Sequence, residues 1–256
     1  MKRLQSYILF ILLLLATVLP AHGHISRNMF MISNLNTDNG LSSSRVYSIV
    51  EAEDGAMWIS TKRWVDRYNG QLVSNYTLAT EMQYSDASGR NIKLTQDHYR
   101  QIYAYDNKGK VYIYNKVKDT FVLRCNLLNI LGGSIVLNEL LVDEKGNFWL
   151  AMDKGLYCLS ASADGKEIIR KKAKGRFILK DTCINHIQFV GQRLLIATSK
   201  DVYCYSVATQ KIAKKISGSS VVSSYHDVEG HHIWLGTFHE GVKVLTSSLK
   251  KYVFYN

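Results

Sequence analysis

Beyond Gly23 the chain alternates short apolar or aromatic runs with polar turns, on a pitch that recurs about every 45 residues. Each repeat centres on one large side chain: Trp58, Tyr103, Trp149, Leu195 and Trp234 follow one another at a near-constant interval, shorter only at the last step. The phrase around them recurs too, as Met57-Trp58-Ile59-Ser60-Thr61, Phe148-Trp149-Leu150-Ala151-Met152, Leu194-Leu195-Ile196-Ala197-Thr198 and Ile233-Trp234-Leu235-Gly236-Thr237. In the first repeat Val46 to Val50 reads as a strand by its β-branched and aromatic content. A turn at Glu53-Asp54-Gly55 follows, where glycine accepts positive φ. Met57 to Thr61, Val65 to Tyr68 and Leu72 to Tyr76 supply three more strands, with a tight turn at Asn69-Gly70. A four-stranded unit that is apolar on both faces cannot bury them alone, so such units stack. A period of this length with several short strands per unit predicts an all-β fold, a β-propeller. The predicted blades are about five in number, at approximately 41–78, 91–125, 135–162, 183–214 and 219–256.

Strand phase bears on closure. Asn28 to Ser33 is strand-like and falls where the outer strand of a preceding blade would lie, while Tyr252 to Tyr255 fills the outer role in the fifth blade. One outer strand is left without a blade of its own. The expectation is an incomplete or open part of a seven-bladed ring, with further blades beyond Asn256. A closed five-bladed ring with a redundant edge is the alternative, and exposed edges invite aggregation.

The segment 1–23 stands apart from this pattern. Lys2 and Arg3 precede a charge-free run from Tyr7 to Leu19, and Ala21-His22-Gly23 places small residues where a signal peptidase reads. As a helix that run spans only ~20 Å, short for a hydrocarbon core of ~30 Å. Residues 1–23 are therefore expected to be a signal peptide, with an uncleaved anchor as the alternative, and 24–256 an exported, periplasmic domain. Removing Lys2 and Arg3 lowers the formal charge from +11 to +9. A basic run, Arg170 to Arg176, reads as a solvated loop between blades. Nucleic acid is not an expected partner of an exported chain, and anionic polysaccharide or a membrane surface is the residual reading.

Chemistry-bearing residues are sparse. Cys125, Cys158, Cys183 and Cys204 show no metal-binding spacing, and Cys158 and Cys204 hold the same place in successive repeats, as small buried residues would. His226, His231, His232 and His239 match no zinc pattern and are assigned to the turn before the last repeat's second strand. Asp143, Glu144, Asp227 and Glu229 read as solubilising turn residues. Asn75-Tyr76-Thr77 fits the N-glycosylation pattern by chance. No nucleophile elbow, zincin motif or P-loop occurs. The expectation is no catalytic residue, no metal and no cofactor.

One stretch is more specific. Asn39-Gly40-Leu41-Ser42-Ser43-Ser44-Arg45-Val46, then Asp54-Gly55-Ala56-Met57-Trp58-Ile59-Ser60-Thr61, then Val65-Asp66-Arg67-Tyr68-Asn69-Gly70 resembles the two-component regulator propeller repeat. The likeness is clear in the first unit, moderate in the third and fifth, and weak in the second and fourth. It implies the periplasmic N-terminal sensor region of hybrid two-component histidine kinases of Bacteroides-type bacteria. That family joins two propellers and an immunoglobulin-like module to a membrane helix and a kinase, and senses glycan-derived oligosaccharides. Its partners here would be an oligosaccharide ligand and further blades or a second propeller, and a homodimer stays open. A free-standing exported binding propeller or truncated paralogue is the alternative, and a propeller lyase or glycosidase a third reading. Two positions depart from the family pattern. Ala52 replaces an acidic residue kept as Asp143 and Asp227, and Trp64 stands where a turn glycine is usual. Trp64, with its neighbour Arg63, is the candidate sugar contact, since an aromatic face stacks on a sugar ring. The isolated chain is expected to bind oligosaccharides weakly or not at all.

Overall fold

The computed structural model describes residues 34–78, 91–160, 175–218 and 220–247, and the strand at 252–255. The proposed signal peptide and the strand-like stretch Asn28 to Ser33 lie outside them. Leu35–Asn256 is one compact unit of five four-stranded antiparallel sheets. The first holds β1 (Val46–Glu51), β2 (Met57–Thr61), β3 (Val65–Tyr68) and β4 (Val73–Tyr76). The second holds β5 (Ile92–Gln96), β6 (Ile102–Asp106), β7 (Lys110–Asn115) and β8 (Thr120–Asn126), and the helix α1 (Leu127–Leu131) follows it. The third holds β9 (Leu137–Val142), β10 (Phe148–Met152), β11 (Gly155–Leu159) and β12 (Gly175–Lys180). The fourth holds β13 (Ile184–Val190), β14 (Arg193–Thr198), β15 (Asp201–Ser206) and β16 (Lys211–Ser217). The fifth holds β17 (Val221–Asp227), β18 (His232–Thr237), β19 (Val242–Thr246) and β20 (Tyr252–Tyr255). This is a β-propeller.

Alternation along the second strands explains the stacking. In β10, Phe148, Leu150 and Met152 pack into the core shared with Tyr103, Tyr105 and Val111 of the second blade. Trp149 and Ala151, pointing the other way, pack with Ile184, Ile187 and Leu194 of the fourth. In β14 the same split sends Leu194 and Ile196 backward and Leu195 and Ala197 forward onto Ile233 and Leu235. A strand buried on both faces therefore belongs to two cores.

The five repeat anchors all fall on second strands and point toward the next blade in chain order. Trp58, Tyr103, Trp149 and Leu195 are buried, whereas Trp234 is 38 % exposed. No sixth sheet covers it among the described residues, and Tyr225, its partner across the strand pair, is 66 % exposed. Successive inner strands β1, β5, β9, β13 and β17 pack side by side, while β17 and β1 do not pack on one another in that way. The described blades form an open arc.

Two features depart from the sequence reading. The third blade extends past residue 162, because Gly175–Lys180 is its outer strand, paired to β11 from Gly155↔Lys180 to Leu159↔Gly175. The C-terminal end of the basic run is thus strand rather than loop, and residues 170–174 lie outside the described residues. The pairing is close: Gly155 sits at φ +137, and a Cβ there would fall 2.2 Å from the Leu179 carbonyl oxygen. Only glycine tolerates that combination. The carboxylates at the first turns are more than solubilising. Asp143 Oδ1 accepts from the Lys145 and Asn147 N–H groups, both at 2.9 Å, and Asp97 Oδ1 accepts from Tyr99 and Gln101 at 2.9 and 3.0 Å. Asp227 Oδ1 accepts from Gly230 at 2.8 Å. Each closes a turn as an Asx acceptor.

Candidate functional site

In a sheet that runs up, down, up and down, the connections between blades and the turns between second and third strands share one end. Backbone bonds fix this connector face. Lys62 N–H donates to Arg45 O (2.9 Å), Leu137 N–H to Asn107 O (2.9 Å), Asp181 N–H to Lys154 O and Gly218 N–H to Lys200 O (both 3.0 Å). In the first, second, fourth and fifth blades the residue that ends the second strand clamps the turn. Thr61 Oγ1 accepts the Trp64 N–H at 3.1 Å and donates to Trp64 O at 3.0 Å. Thr198 repeats this with Asp201 at 2.9 and 3.0 Å, and Thr237 with Glu240 N–H and Gly241 O at 2.8 Å. Asp106 takes the role in the second blade, accepting from Lys108 and Lys110 N–H at 3.0 and 2.9 Å. The threonine closing the repeated apolar phrase is thus a turn clamp.

These turns carry charge in register. Lys62, Lys108, Lys154 and Lys200, equally spaced in sequence, stand exposed on four successive turns. Arg63 adds a fifth cation. Asp153 on the same face accepts the Val136 N–H at 3.3 Å, and Asp201 holds Lys215 at 3.0 Å. The opposite face carries the first turns, with Glu53, Asp54, Asp143, Glu144, Asp227 and Glu229. The Asp54 carboxyl is held below the usual carboxylate range by the Ala56 N–H and then by Arg67.

Trp64 lies on the first of the connector-face turns, half-buried, with the exposed Arg63 guanidinium 4.9 Å from the ring centroid. That is a cation–π pair, so one ring face is occupied and a stacking ligand would use the other or displace the arginine.

Polar side chains tie the inner strands together just below this face. Ser48 Oγ accepts the Leu94 N–H at 2.7 Å, and Glu139 Oε2 accepts the Ile187 N–H at 2.7 Å. Glu139 also holds His186 Nδ1 at 2.8 Å, and His186 Nε2 meets Ser224 Oγ at 2.8 Å. The order Ser–His–Glu has the look of a hydrolase relay. The Ser224 hydroxyl, however, donates to Gln188 Oε1 at 2.5 Å, so its proton is not aimed at the imidazole, and a general base would need it there. The array is a strut across three blades.

The remaining sequence candidates separate. Two anchors bond to turn carboxylates: Trp149 Nε1 donates to Asp143 Oδ2 at 3.0 Å and Tyr103 Oη to Asp97 Oδ2 at 3.2 Å. With Ala52 in the equivalent place, Trp58 lies instead under Arg67, 5.8 Å from its ring. The four histidines are not one turn cluster. His226 lies in β17, His231 at the first turn, His232 at the start of β18, and His239 on the connector face. Among the described residues no three metal-ligating side chains gather. Sequence reasoning missed the lysine series because it scanned for runs; a search at the repeat period would have found it.

The cysteines are all free. Burial pushes the Cys125 thiol up to about 12 and the Cys158 thiol to about 11, and Cys204 upward too. Cys183 alone is exposed. A thiol reagent is expected to modify one cysteine in the native chain and four after denaturation, with peptide mapping placing the first at Cys183, because thiolate and access are both withheld at the others.

Comparison with known proteins accords with this architecture. Residues 40–63 match the two component regulator propeller repeat. No curated protein matches the chain. Among solved structures, the extracellular domain of BT3049 from B. thetaiotaomicron, assigned to a hybrid two component system, superposes with a TM-score of 0.64 at 17% identity. The alignment covers 88% of this chain and 31% of that one. The extracellular domain of BT4673 from B. thetaiotaomicron, also assigned to a hybrid two component system, gives 0.54 at 16% identity, over 82% of this chain and 35% of that one. PorZ, a surface component of the type-IX secretion system of Porphyromonas gingivalis, gives 0.54 at 13%, over 82% and 28%. The chain thus spans about a third of each neighbour's length, and at these identities the likeness is one of fold. The regulator repeat matched at 40–63 is thus set in a propeller fold shared with these extracellular domains. Among the described residues no helix is long and apolar enough to cross a membrane.

Proposed function

We propose that the chain is an exported, periplasmic ligand-sensing propeller of a hybrid two-component receptor. In this reading it recognises glycan-derived oligosaccharides without chemistry of its own, and residues 1–23 are its removable signal peptide. The observation that carries the reading is the regulator repeat at 40–63 within a fold shared with extracellular domains of two component systems. Trp64 and Arg63 on the connector face are the proposed sugar contact, because an aromatic ring beside a cation offers both stacking and hydrogen-bond donors. The exposed far face of the fifth blade, with Trp234 and Tyr225, fits a role inside a larger assembly of blades.

The test is genetic. Deleting the chain's coding sequence is expected to abolish transcriptional induction of polysaccharide-utilisation genes by glycan breakdown products, and Trp64→Ala is expected to raise the inducing concentration about tenfold. Unchanged induction in the deletion strain would overturn the sensor reading. Unchanged induction with Trp64→Ala alone would move the contact elsewhere.

A further inference from the structure

We infer that His186 is a proton-operated link between the fourth and fifth blades, complete when its ring carries both protons and broken or rearranged when one is lost. The link needs no ligand and is independent of the sensor reading.

One position of the repeat carries it. Ser48, Lys93, Glu139, His186 and Ser223 each pair, across the first two strands of a blade, with the residue two places past its anchor: Ser60, Tyr105, Ala151, Ala197 and Gly236. The first four reach onto the inner strand of the following blade. Ser48 Oγ accepts the Leu94 N–H at 2.7 Å, and Lys93 Nζ donates to Asn138 O at 2.9 Å. Glu139 Oε2 accepts the Ile187 N–H at 2.7 Å, and His186 Nε2 meets Ser224 Oγ at 2.8 Å. Of these side-chain types, only imidazole ordinarily changes its protonation between about pH 5.5 and 8.5. The titratable member of the belt is the one that fastens the fifth blade, the last of the described arc.

Donors and acceptors fix the form of the ring. Glu139 Oε2 lies 2.8 Å from His186 Nδ1, and an ionised carboxylate only accepts, so Nδ1 carries a proton. The one Ser224 proton goes to Gln188 Oε1 at 2.5 Å. Ser224 Oγ therefore meets the ring as an acceptor, and Nε2 carries a proton too. A ring that donates from both nitrogens is the imidazolium. Losing the Nδ1 proton turns a lone pair on the carboxylate, and losing the Nε2 proton turns one on the serine oxygen. The neutral ring recovers the second bond only if the Ser224 hydroxyl turns toward it, which strands Gln188 Oε1 or turns that amide over. His186 and Glu139 are only 18 and 20 % exposed, so water replaces a lost bond incompletely.

The groups around the ring leave this pairing intact. Glu139 is the titratable group that β9 presents to it, and Lys93 of β5 is engaged one strand farther on by Asn138 O. β10 has no titratable side chain, and Arg193 lies at the far end of β14. The Cys183 thiol, just before β13, contacts Asn138 and Asn185. On β17, His226 shares the face of Ser224 by alternation, Tyr225 points away, and Asp227 accepts the Gly230 N–H. Because the charged ring makes the bonds, the link is complete on the acid side of the imidazole titration and is lost as pH rises through it.

The test uses the purified full chain with isotope-labelled histidine. At about pH 6, long-range proton–nitrogen correlation is expected to show both His186 ring nitrogens protonated, and one of them losing its proton by about pH 8.5. Hydrogen exchange in β17, corrected for the intrinsic rate at each pH, is expected to quicken about tenfold over the same rise, while β5 and β6 stay unchanged. His186→Gln should remove that pH dependence. Ser224→Ala is a small truncation that keeps the ring and its carboxylate but removes the acceptor, so exchange in β17 should be fast at both ends of the range. His226→Gln should behave as the unaltered chain does. A His186 ring with a single proton throughout would overturn the link, and so would exchange in β17 that ignores pH. A pH dependence that survives in Ser224→Ala, or one that disappears in His226→Gln, would assign it to another group and overturn the inference equally.

Discussion

Trp58→Ala is expected to cost about 3–5 kcal/mol of stability, and Trp234→Ala about 1 kcal/mol, although both sit at one position of the repeat. The difference lies in what the next blade supplies. Trp58 is 1 % exposed and ringed by Tyr76, Tyr114 and Phe121, with centroids at 5.0, 4.6 and 5.5 Å. Two of those rings belong to the second blade. Truncation opens a cavity in the core joining the two blades, and the surrounding rings cannot collapse into it without leaving their own contacts. Trp234 is 38 % exposed, so its loss removes less buried area and leaves no enclosed void. Urea unfolding followed by far-UV circular dichroism measures both. Because a repeat array unfolds unit by unit when an interface weakens, hydrogen exchange across β1 to β4 adds the local reading: Trp58→Ala should release the first blade ahead of the rest. Equal costs at the two positions would mean that the fifth blade's far face is covered in solution.

That contrast also marks what the sequence disclosed. The spacing of the five anchors places each on a second strand, since a fixed period and a fixed phrase leave little freedom in a stacked repeat. Which anchors are buried is not legible from the phrase, because burial of an anchor depends on the following blade and not on its own. The outer strand of the third blade was missed for a related reason. Gly175–Lys180 pairs with β11 across an insertion far longer than the turns elsewhere, and its exposed, mixed side chains lack the alternation by which strands are read. Ser, Thr and Asp at turn positions looked merely polar, yet Thr61, Thr198, Asp97 and Asp143 each close a turn, a role set by backbone geometry that a composition scan does not see. The candidate contact at Trp64 was legible as an oddity in a turn. The lysine series needed the repeat to be aligned before it could be seen.

One buried carboxylate pins the first blade just beyond the matched residues, and Asp66→Ala is expected to cost about 3 kcal/mol. Asp66 is fully buried on β3. Its Oδ2 accepts from the Ser42 N–H at 2.9 Å and the Ser42 hydroxyl at 2.8 Å, and its Oδ1 from Asn75 Nδ2 at 2.8 Å. Asn75 Nδ2 also donates to Gly40 O at 3.1 Å, and the Ser42 hydroxyl meets Thr61 Oγ1 at 2.7 Å. The carboxylate therefore pins the segment before β1 against β3 and β4, and through Ser42 reaches the threonine that clamps the Trp64 turn. Alanine strands three donors in a partly buried site, at about 1 kcal/mol or more each once water has reached those it can. Asp66→Asn is the sharper test, since it is nearly isosteric. Its one carbonyl oxygen can serve Ser42, but its NH2 then faces the Asn75 NH2, and Asn75 cannot flip without turning its oxygen toward Gly40 O. The expected cost is about 1–2 kcal/mol, and adding Asn75→Ala should recover part of it by removing the opposed donor. A double-mutant cycle on thermal or urea unfolding reads this as a favourable coupling of about 1 kcal/mol between the two substitutions. Additive costs would mean that Asp66 and Asn75 act independently and that the groups around the carboxylate are not one network.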